Sequence, residues 1–509
     1  MFPNTIFVAF PLLVFIIYSL FKRARKWVRF YRRVSYIRRH FPGPTPHWFW
    51  GNALDKPGLF DPGLEWHLRA ASKYRRVLVF WGLWHPCVIL NHPDTLREIL
   101  KSTTASVKSV GYQLFSDWLG QGLACSDGVL WRRHRRLITP SFHFNSLKRY
   151  VPIVNKVTTT LLGRLSVIAD SDTPLETHHM MTRCSADAIL QTAFSYESRC
   201  QERESPILAA TRTLTDIGTS RMLNPIMACY SIFRLSPVYG IWKDAVQKVN
   251  GLGERLIRER RAKLMESEEK TGVATDTREM DFLDSLLLAR DAFGDGLSDA
   301  EIRDEVNTFI FAGLDTTSSA VTWLLLDMAK YPEHQARVQA EVDDVMAGKE
   351  SEYISGEDLQ KFKFLQMCMR ESLRLHAVFM PARTLLEPLT VDGLTIPPRT
   401  SVMLNFYQLH HNPDVWGDDH MVFRPERFAR ERVEARDPFA FVPFSAGPHN
   451  CIGQQFAMQE IQIVVARVLR HFSVGLLRES RPVFSVVGKP KDDVILSIKR
   501  RESAPAGNL

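Results

Sequence analysis

The sequence predicts one large, mainly α domain with small β-sheets, set behind an N-terminal membrane anchor. Three observations carry this. Helix-period patterns dominate the chain after Val129, and one of them runs from Ser298 to Tyr331. At about 33 residues that helix would be ~50 Å long, enough to cross a globular core. Extended patterns are confined to short runs. No Gly/Ser linker or repeat divides the 509 residues, although length alone allows about three domains.

The apolar run Ile6 to Phe21 opens the chain. It is a little shorter than the ~20 residues of a full span, so its flanks decide how it reads. Met1 to Thr5 carry no side-chain charge, whereas a cleaved leader has positive charge ahead of its apolar run. Lys22, Arg23, Arg25, Lys26, Arg29, Arg32, Arg33, Arg38 and Arg39 follow, and no acid occurs before Asp55. Positive charge stays cytosolic, which places the body in the cytosol. These residues also meet anionic headgroups, at ~1 kcal/mol each near the surface. The formal charge of +9 suggests nucleic acid only until it is located. Setting those nine aside leaves 56 basic residues against 56 acidic ones. The body is neutral, and no nucleic-acid partner is expected. Pro42-Gly43-Pro44 reads as a stiff hinge, and the basic tail before it should pack little with the core. The expected division is an anchor at 1–21, a basic stretch and hinge at 22–46, the main body at 47–500 and a flexible tail at 501–509.

Val77 to Trp81 and Cys87 to Leu90 flank Gly82 and Pro86 and read as a β-hairpin. Val129 to Leu137, Val151 to Ala169 and Met181 to Ala193 carry helical patterns. Leu223 to Trp242 is apolar but broken by Pro225 and Pro237 and holds Arg234. It reads either as two core helices with a loop or as a lip that dips into the membrane. Lys263 to Met280 is polar and charged and reads as a surface loop. Ser298-Asp299-Ala300-Glu301 fits a capping box that starts the long helix, and Pro332 stops it. In its middle lies Ala312-Gly313-Leu314-Asp315-Thr316-Thr317, where a glycine and two threonines weaken the backbone ladder.

Seven cysteines are scattered without a close pair, which suits a reduced compartment rather than a disulfide framework. A lone cysteine is most often a small buried hydrophobe. Cys451 differs. It lies in Phe444-Ser445-Ala446-Gly447-Pro448-His449-Asn450-Cys451-Ile452-Gly453, a turn that directly precedes the apolar-periodic stretch Ile452 to Phe472. A thiol there meets unpaired N–H groups and the positive end of a helix dipole, which favour thiolate. Gly453 would let the helix approach a flat cofactor. The adjacent pairs His178-His179 and His410-His411 point apart on any regular element and fit no zinc site well.

The Cys451 segment resembles the haem-binding loop of the cytochromes P-450, Phe-x-x-Gly-x-Arg-x-Cys-x-Gly. Phe444, Gly447, Cys451 and Gly453 match, and His449 stands where arginine is usual. The resemblance covers essentially the whole chain. It implies the cytochrome P-450 fold and haem b held by Cys451 as axial thiolate, which favours O–O cleavage. Trp131-x-x-x-Arg135 puts an indole N–H and a cation on one helical face, and the resemblance makes both partners of the haem propionates, with Arg383 as a third and His449 as a weaker one. Ala312, Gly313, Asp315 and Thr316 match the oxygen-side motif of the central helix. There Thr316 would offer a hydroxyl to dioxygen and Asp315 would relay protons. Glu371, Arg374 and Arg427 would form a buried brace. Arg132, Arg133 and Arg136 suit either a solvated face or a basic surface for an acidic electron donor.

Likeness is greatest to family 4, the fatty-acid ω-hydroxylases and their relatives, through Trp131 to Phe144 and Phe444 to Gln454. Many of its members carry a haem-esterifying Glu where this chain has Ala312, so a covalent haem bond is not expected. The reading is a single-pass endoplasmic-reticulum monooxygenase with its catalytic domain cytosolic. It would use dioxygen and NADPH through a partner NADPH-cytochrome reductase, with cytochrome b5 as a further partner, to oxidise an apolar substrate such as a fatty acid. Alternatives are a sterol or xenobiotic hydroxylase, an oxygen-independent isomerase or dehydratase, and a haem-based gas sensor. Lys108 to Trp118, Phe309, Val378 to Pro381 and Ser485 to Val487 are expected to line the pocket.

Overall fold

The computed structural model describes residues 4–55, 63–102, 104–271, 280–376 and 379–502, without the side chains of 4–13, 144–145 and 267–271. Val378 therefore lies outside the described residues. The long helix is present as Asp299–Lys330. Ser298 Oγ accepts from the Glu301 N–H at 3.3 Å, and the Glu301 carboxylate accepts from the Ser298 N–H at 2.8 Å. This is the capping box, and it satisfies two otherwise orphaned donors. Pro332 opens the next helix, Pro332–Met346. Most of the long helix is buried. It packs on Thr177–Phe194 and on Gln454–His471. Leu324, Leu325, Val465, Leu469, Leu161 and Leu165 are among the side chains that hold this core together. Each such burial contributes about 1.5–3 kcal/mol, far more than the propensity lost at Gly313. Among the described residues this is the one helix long and apolar enough to cross a membrane. Its burial inside the body makes it a core element.

The expected hairpin forms as Val77–Gly82 and His85–Leu90, antiparallel, with Val77 opposite Leu90. It is one edge of a five-stranded sheet. Ser401–Leu404 adds parallel to His85–Leu90, and Ala382–Leu385 and Ser106–Lys108 follow. Strands of three or four residues show no readable period, so the sequence did not announce them. Their register sets Lys108 opposite Arg383. A smaller sheet joins Leu175–Glu176, Ile495–Arg500 and Phe472–Arg478 near the C-terminus.

The brace is formed. Arg374 donates from Nε and Nη2 to the Glu371 carboxylate at 2.8 and 2.7 Å, and its Nη1 donates to the carbonyls of His410 and His420. Arg427 approaches Glu371 at 3.4 Å and donates to the Trp416 and Asp419 carbonyls. All three side chains are buried. They rigidify the segment that leads into the Cys451 loop.

Two expectations are corrected. The apolar run and the basic stretch are one helix, Asn4–His40. Its last turns dock on the body: Ile37 and Phe41 are buried against the five-stranded sheet, and the Pro42 carbonyl accepts from the Val79 N–H at 2.9 Å. The basic tail therefore does pack with the core, because the apolar residues between its arginines face the sheet. Lys263 to Thr271 continues the helix Val238–Thr271, while 272–279 lie outside the described residues. Arg, Lys and Glu are good helix formers, so an all-polar stretch need not be a loop. Leu223 to Trp242 forms the short helices Pro225–Ala228 and Tyr230–Arg234 and the start of Val238–Thr271, and it presents two faces. Phe233 and Trp242 are buried, whereas Ile226, Tyr230, Ile232 and Ile241 are exposed and Leu235 is 88% exposed.

Candidate active site

Cys451 sits at the end of the turn built by Gly447–His449, two residues before the N-cap Gly453 of the helix Gln454–His471. Its N–H donates to the Phe444 carbonyl at 2.8 Å, which closes the loop. Gly447 has φ +70°, and a Cβ there would meet the Leu100 carbonyl oxygen. Only glycine fits both demands. At Gly453 a Cβ would meet nothing nearer than Cys451 Sγ at 4.0 Å. The polypeptide leaves that face of Gly453 open, which gives a flat group room to lie against it. The Cys451 thiol is pushed up by burial. The Gly453 N–H and Arg135 pull it the other way and do not win. A cation bound at sulfur would supply the missing charge.

The helix Gly128–Ile138 carries the next group of expected residues. Trp131 is buried and lies against the His449 ring with centroids 3.8 Å apart. Arg135 donates to the Asn450 carbonyl at 2.9 Å and to Asn450 Oδ1 at 2.7 Å. Arg135 thus fastens this helix to the cysteine loop, a role that Asn450 makes possible and that the motif did not reveal. Arg383 is buried on the neighbouring strand. The His449 ring is driven down to about 3 by burial and by Arg383, Lys108 and Arg135. It is therefore neutral, and its buried Nδ1 has no hydrogen-bond partner. A cluster of cations around an orphaned imidazole nitrogen fits a ligand with carboxylates. The donor set, one sulfur and a ring of cations, fits an iron porphyrin and not a zinc ion.

The central helix passes this loop. Leu314 shares an apolar cluster with Trp131, Ile452 and Phe456. Ala312 is exposed within a helix that is otherwise mostly buried, and Cys451 is exposed as well despite its surroundings. Both therefore open on an internal cleft. The Thr316 hydroxyl donates to the Ala312 carbonyl at 2.6 Å. Asp315 is raised by burial, and the Thr215 hydroxyl donates to its Oδ2 at 3.2 Å. Lys489 and Arg212 lower it, and Asp216 raises it. Lys489 itself pairs with Asp216 at 2.7 Å near the surface. Thr215 is a site residue that the sequence did not suggest, because it lies 100 positions from its partner.

Phe309 is not on the cleft. It packs with Phe142 and Phe282 at 5.3 and 4.3 Å between centroids. Phe311 takes the expected place, 5.0 Å from Trp118 and in one cluster with Phe115 and Val487. Two positions on a helix turn through about 200°, which explains the exchange. Arg133 is bound to Asp291 and Glu301 at 2.8 and 3.2 Å, so it is a fold residue, whereas Arg132 and Arg136 are exposed. Outside the cysteine loop a groove of 1380 Å³ is lined by Lys148, Arg370, Phe444, Gln455 and Met458 among others. It belongs to the outer face, not to the cleft.

Comparison with known proteins bears on this geometry. The family model described as Cytochrome P-450 matches residues 41–500. The chain is 36% identical over 461 residues to cytochrome P-450 4F6 of Rattus norvegicus, covering 89% of this chain and 86% of the relative. It is 36% identical over 453 residues to leukotriene-B4 omega-hydroxylase 3 of Mus musculus, covering 87% and 86%. It is 35% identical over 465 residues to cytochrome P-450 4F12 of Homo sapiens, covering 89% and 88%.

Proposed function

The chain belongs to the cytochrome P-450 family and is a monooxygenase of that family, and on that premise we propose that it hydroxylates a fatty acid or related lipid with haem held by Cys451. The observation that carries the reading is the Cys451 loop, set against the Ala312–Thr317 stretch of the central helix. Haem, when bound, would supply the activation of dioxygen, with one atom entering the substrate and the other leaving as water. Trp131, Arg135, Arg383 and His449 would hold it through its propionates. Phe444, Gly447 and Gly453 would shape the loop that carries Cys451. Asp315 takes up protons from the Thr215 side. Its raised carboxyl is suited to exchange them nearer to neutral pH than an exposed aspartate. Thr316 Oγ1 passes them toward dioxygen, and its bond to the Ala312 carbonyl holds the hydroxyl in place.

Ala312 has no carboxylate, so haem is expected to leave the denatured chain without a covalent remnant. Mass spectrometry of the peptide that contains Ala312 tests this, and a retained haem mass would contradict it.

Electrons come from NADPH through a partner reductase, with cytochrome b5 as a second donor, since no dinucleotide fingerprint occurs in the sequence. The groove with Lys148 and Arg370, together with Arg132 and Arg136, offers positive charge to an acidic donor. Residues 1–21 anchor the protein in the endoplasmic-reticulum membrane, 22–46 lead to the body and 47–500 are catalytic, while Arg501, expected in the tail, is bonded to Asp343 and to the Leu469 and Arg470 carbonyls. The exposed apolar residues Ile226, Ile232, Leu235 and Ile241 rest on the bilayer and admit substrate. Deleting residues 1–21 is expected to weaken membrane sedimentation while haem content stays at the wild-type level, because the docking contacts of Ile37 and Phe41 remain. Loss of haem on truncation would make the anchor part of the fold.

The relative named for leukotriene-B4 omega-hydroxylation supports a lipid with a long apolar body. Turnover of a panel of fatty acids and eicosanoids with NADPH and reductase tests the substrate class. NADPH-dependent hydroxylation of at least one is expected. Turnover of sterols or aromatic xenobiotics alone would overturn the lipid assignment.

A further inference from the structure

The helix Pro206–Leu223 lies along the cleft. Its Thr215 meets Asp315 at 3.2 Å, and a Cβ on its Gly218 would run into the Phe115 ring. Leu214, Gly218 and Arg221 follow one another at helical spacing and so share one face. Leu214 belongs to the apolar cluster of Phe115, Phe311 and Val487. Arg221 ends that face. It is only 2% exposed, and its guanidinium carbon lies 3.9 Å from the centre of the Phe233 ring and 5.4 Å from that of Trp242. Its Nη1 donates to the Leu114 carbonyl at 2.8 Å and its Nε to the Met227 carbonyl at 3.5 Å. Leu114 directly precedes Phe115, so the guanidinium stands at the wall of the cleft. A guanidinium has five N–H donors and keeps its charge. Two are taken by neutral carbonyls, and Nη2 has no hydrogen-bond partner among the described residues. Nor does a carboxylate pair with it. Asp117, the acid that acts on it, is exposed and makes no bond to it. The buried arginines of the brace differ, since Arg374 and Arg427 both reach Glu371. A buried cation without an anion is costly, and the planar fork of its donors matches a carboxylate.

We propose that Arg221 receives the carboxylate of the lipid substrate while Phe115, Phe311 and Val487 hold its apolar body, so that ionised lipids are selected over neutral ones of the same chain. The inference rests on the lipid reading above. Burial of Arg221 keeps bilayer headgroups from it, so the anion that reaches it enters with the substrate. The bonds to Leu114 and Met227 hold the fork in place, which leaves little side-chain ordering to be done on binding. A neutral lipid would leave the cation unpaired.

The test is equilibrium dialysis of the full-length holoenzyme with palmitate and with methyl palmitate, which share a chain and differ in charge. Wild type is expected to bind palmitate on the order of tenfold more tightly than the ester. Arg221→Gln keeps a donor for the Leu114 carbonyl and removes the charge. It should weaken palmitate on the order of tenfold and the ester by less than about twofold. Arg221→Lys keeps the charge without the fork and should lower the acid-to-ester preference by about threefold. Equal loss for both ligands would make Arg221 a fastener of its two loops only and overturn the proposal, as would no loss for either. Should Arg221→Gln fail to fold, Arg221→Lys decides by the same comparison, and an unchanged preference would overturn the proposal. Equal affinity of wild type for acid and ester would overturn the proposal alone. Binding of neither by wild type would overturn the lipid reading and the proposal with it.

Discussion

Cys451→Ser is expected to abolish the thiolate signature of the ferrous–CO complex and to reduce hydroxylation to background. Serine is smaller by little, and the loop is closed by the Cys451 N–H to the Phe444 carbonyl, which the substitution leaves intact. The fold should therefore persist. What is lost is a soft, electron-donating ligand, for which a hard oxygen is a poor replacement. Far-ultraviolet circular dichroism should match wild type while the red-shifted CO band disappears. A red-shifted band that survives in the variant would remove Cys451 from the iron.

The second large effect lies on the central helix. Thr316→Ala removes the hydroxyl that now donates to the Ala312 carbonyl and opens the cleft to disordered water. Substrate binding and NADPH consumption should stay within a few-fold of wild type. Product per NADPH should fall, on the order of tenfold or more, with hydrogen peroxide making up the difference. Asp315→Asn acts earlier. It keeps an acceptor for the Thr215 hydroxyl but carries no proton in exchange with it, so both NADPH consumption and product should slow by about a hundredfold. The two variants therefore separate in coupling, not only in rate. If both retain wild-type rate and coupling, the proton route through Asp315 and Thr316 is wrong, and an oxygen-independent isomerase on the same fold becomes the better reading.

The chemistry-bearing segments were legible because each is contiguous. The cysteine loop, the Ala312–Thr317 stretch and the Trp131 helix declare themselves within ten residues or so of sequence. The capping box at Ser298 and the stop at Pro332 fixed the long helix almost to the residue. What the sequence could not declare were partners made by tertiary contact. Thr215 meets Asp315, Asn450 meets Arg135, and Lys108 meets Arg383 only through folding. The exchange of Phe309 for Phe311 has a different cause. A helix buried on nearly all sides has no apolar stripe to orient it, so sequence alone does not say which phenylalanine faces the cleft.

The most direct test of the account is turnover under ¹⁸O₂ with NADPH, reductase and the best lipid of the panel, followed by mass spectrometry of the product. The account predicts one labelled oxygen per hydroxylated product, a matching amount of labelled water, and no label in product from the Cys451→Ser enzyme. Product that carries oxygen from water, or that forms without dioxygen, would contradict it.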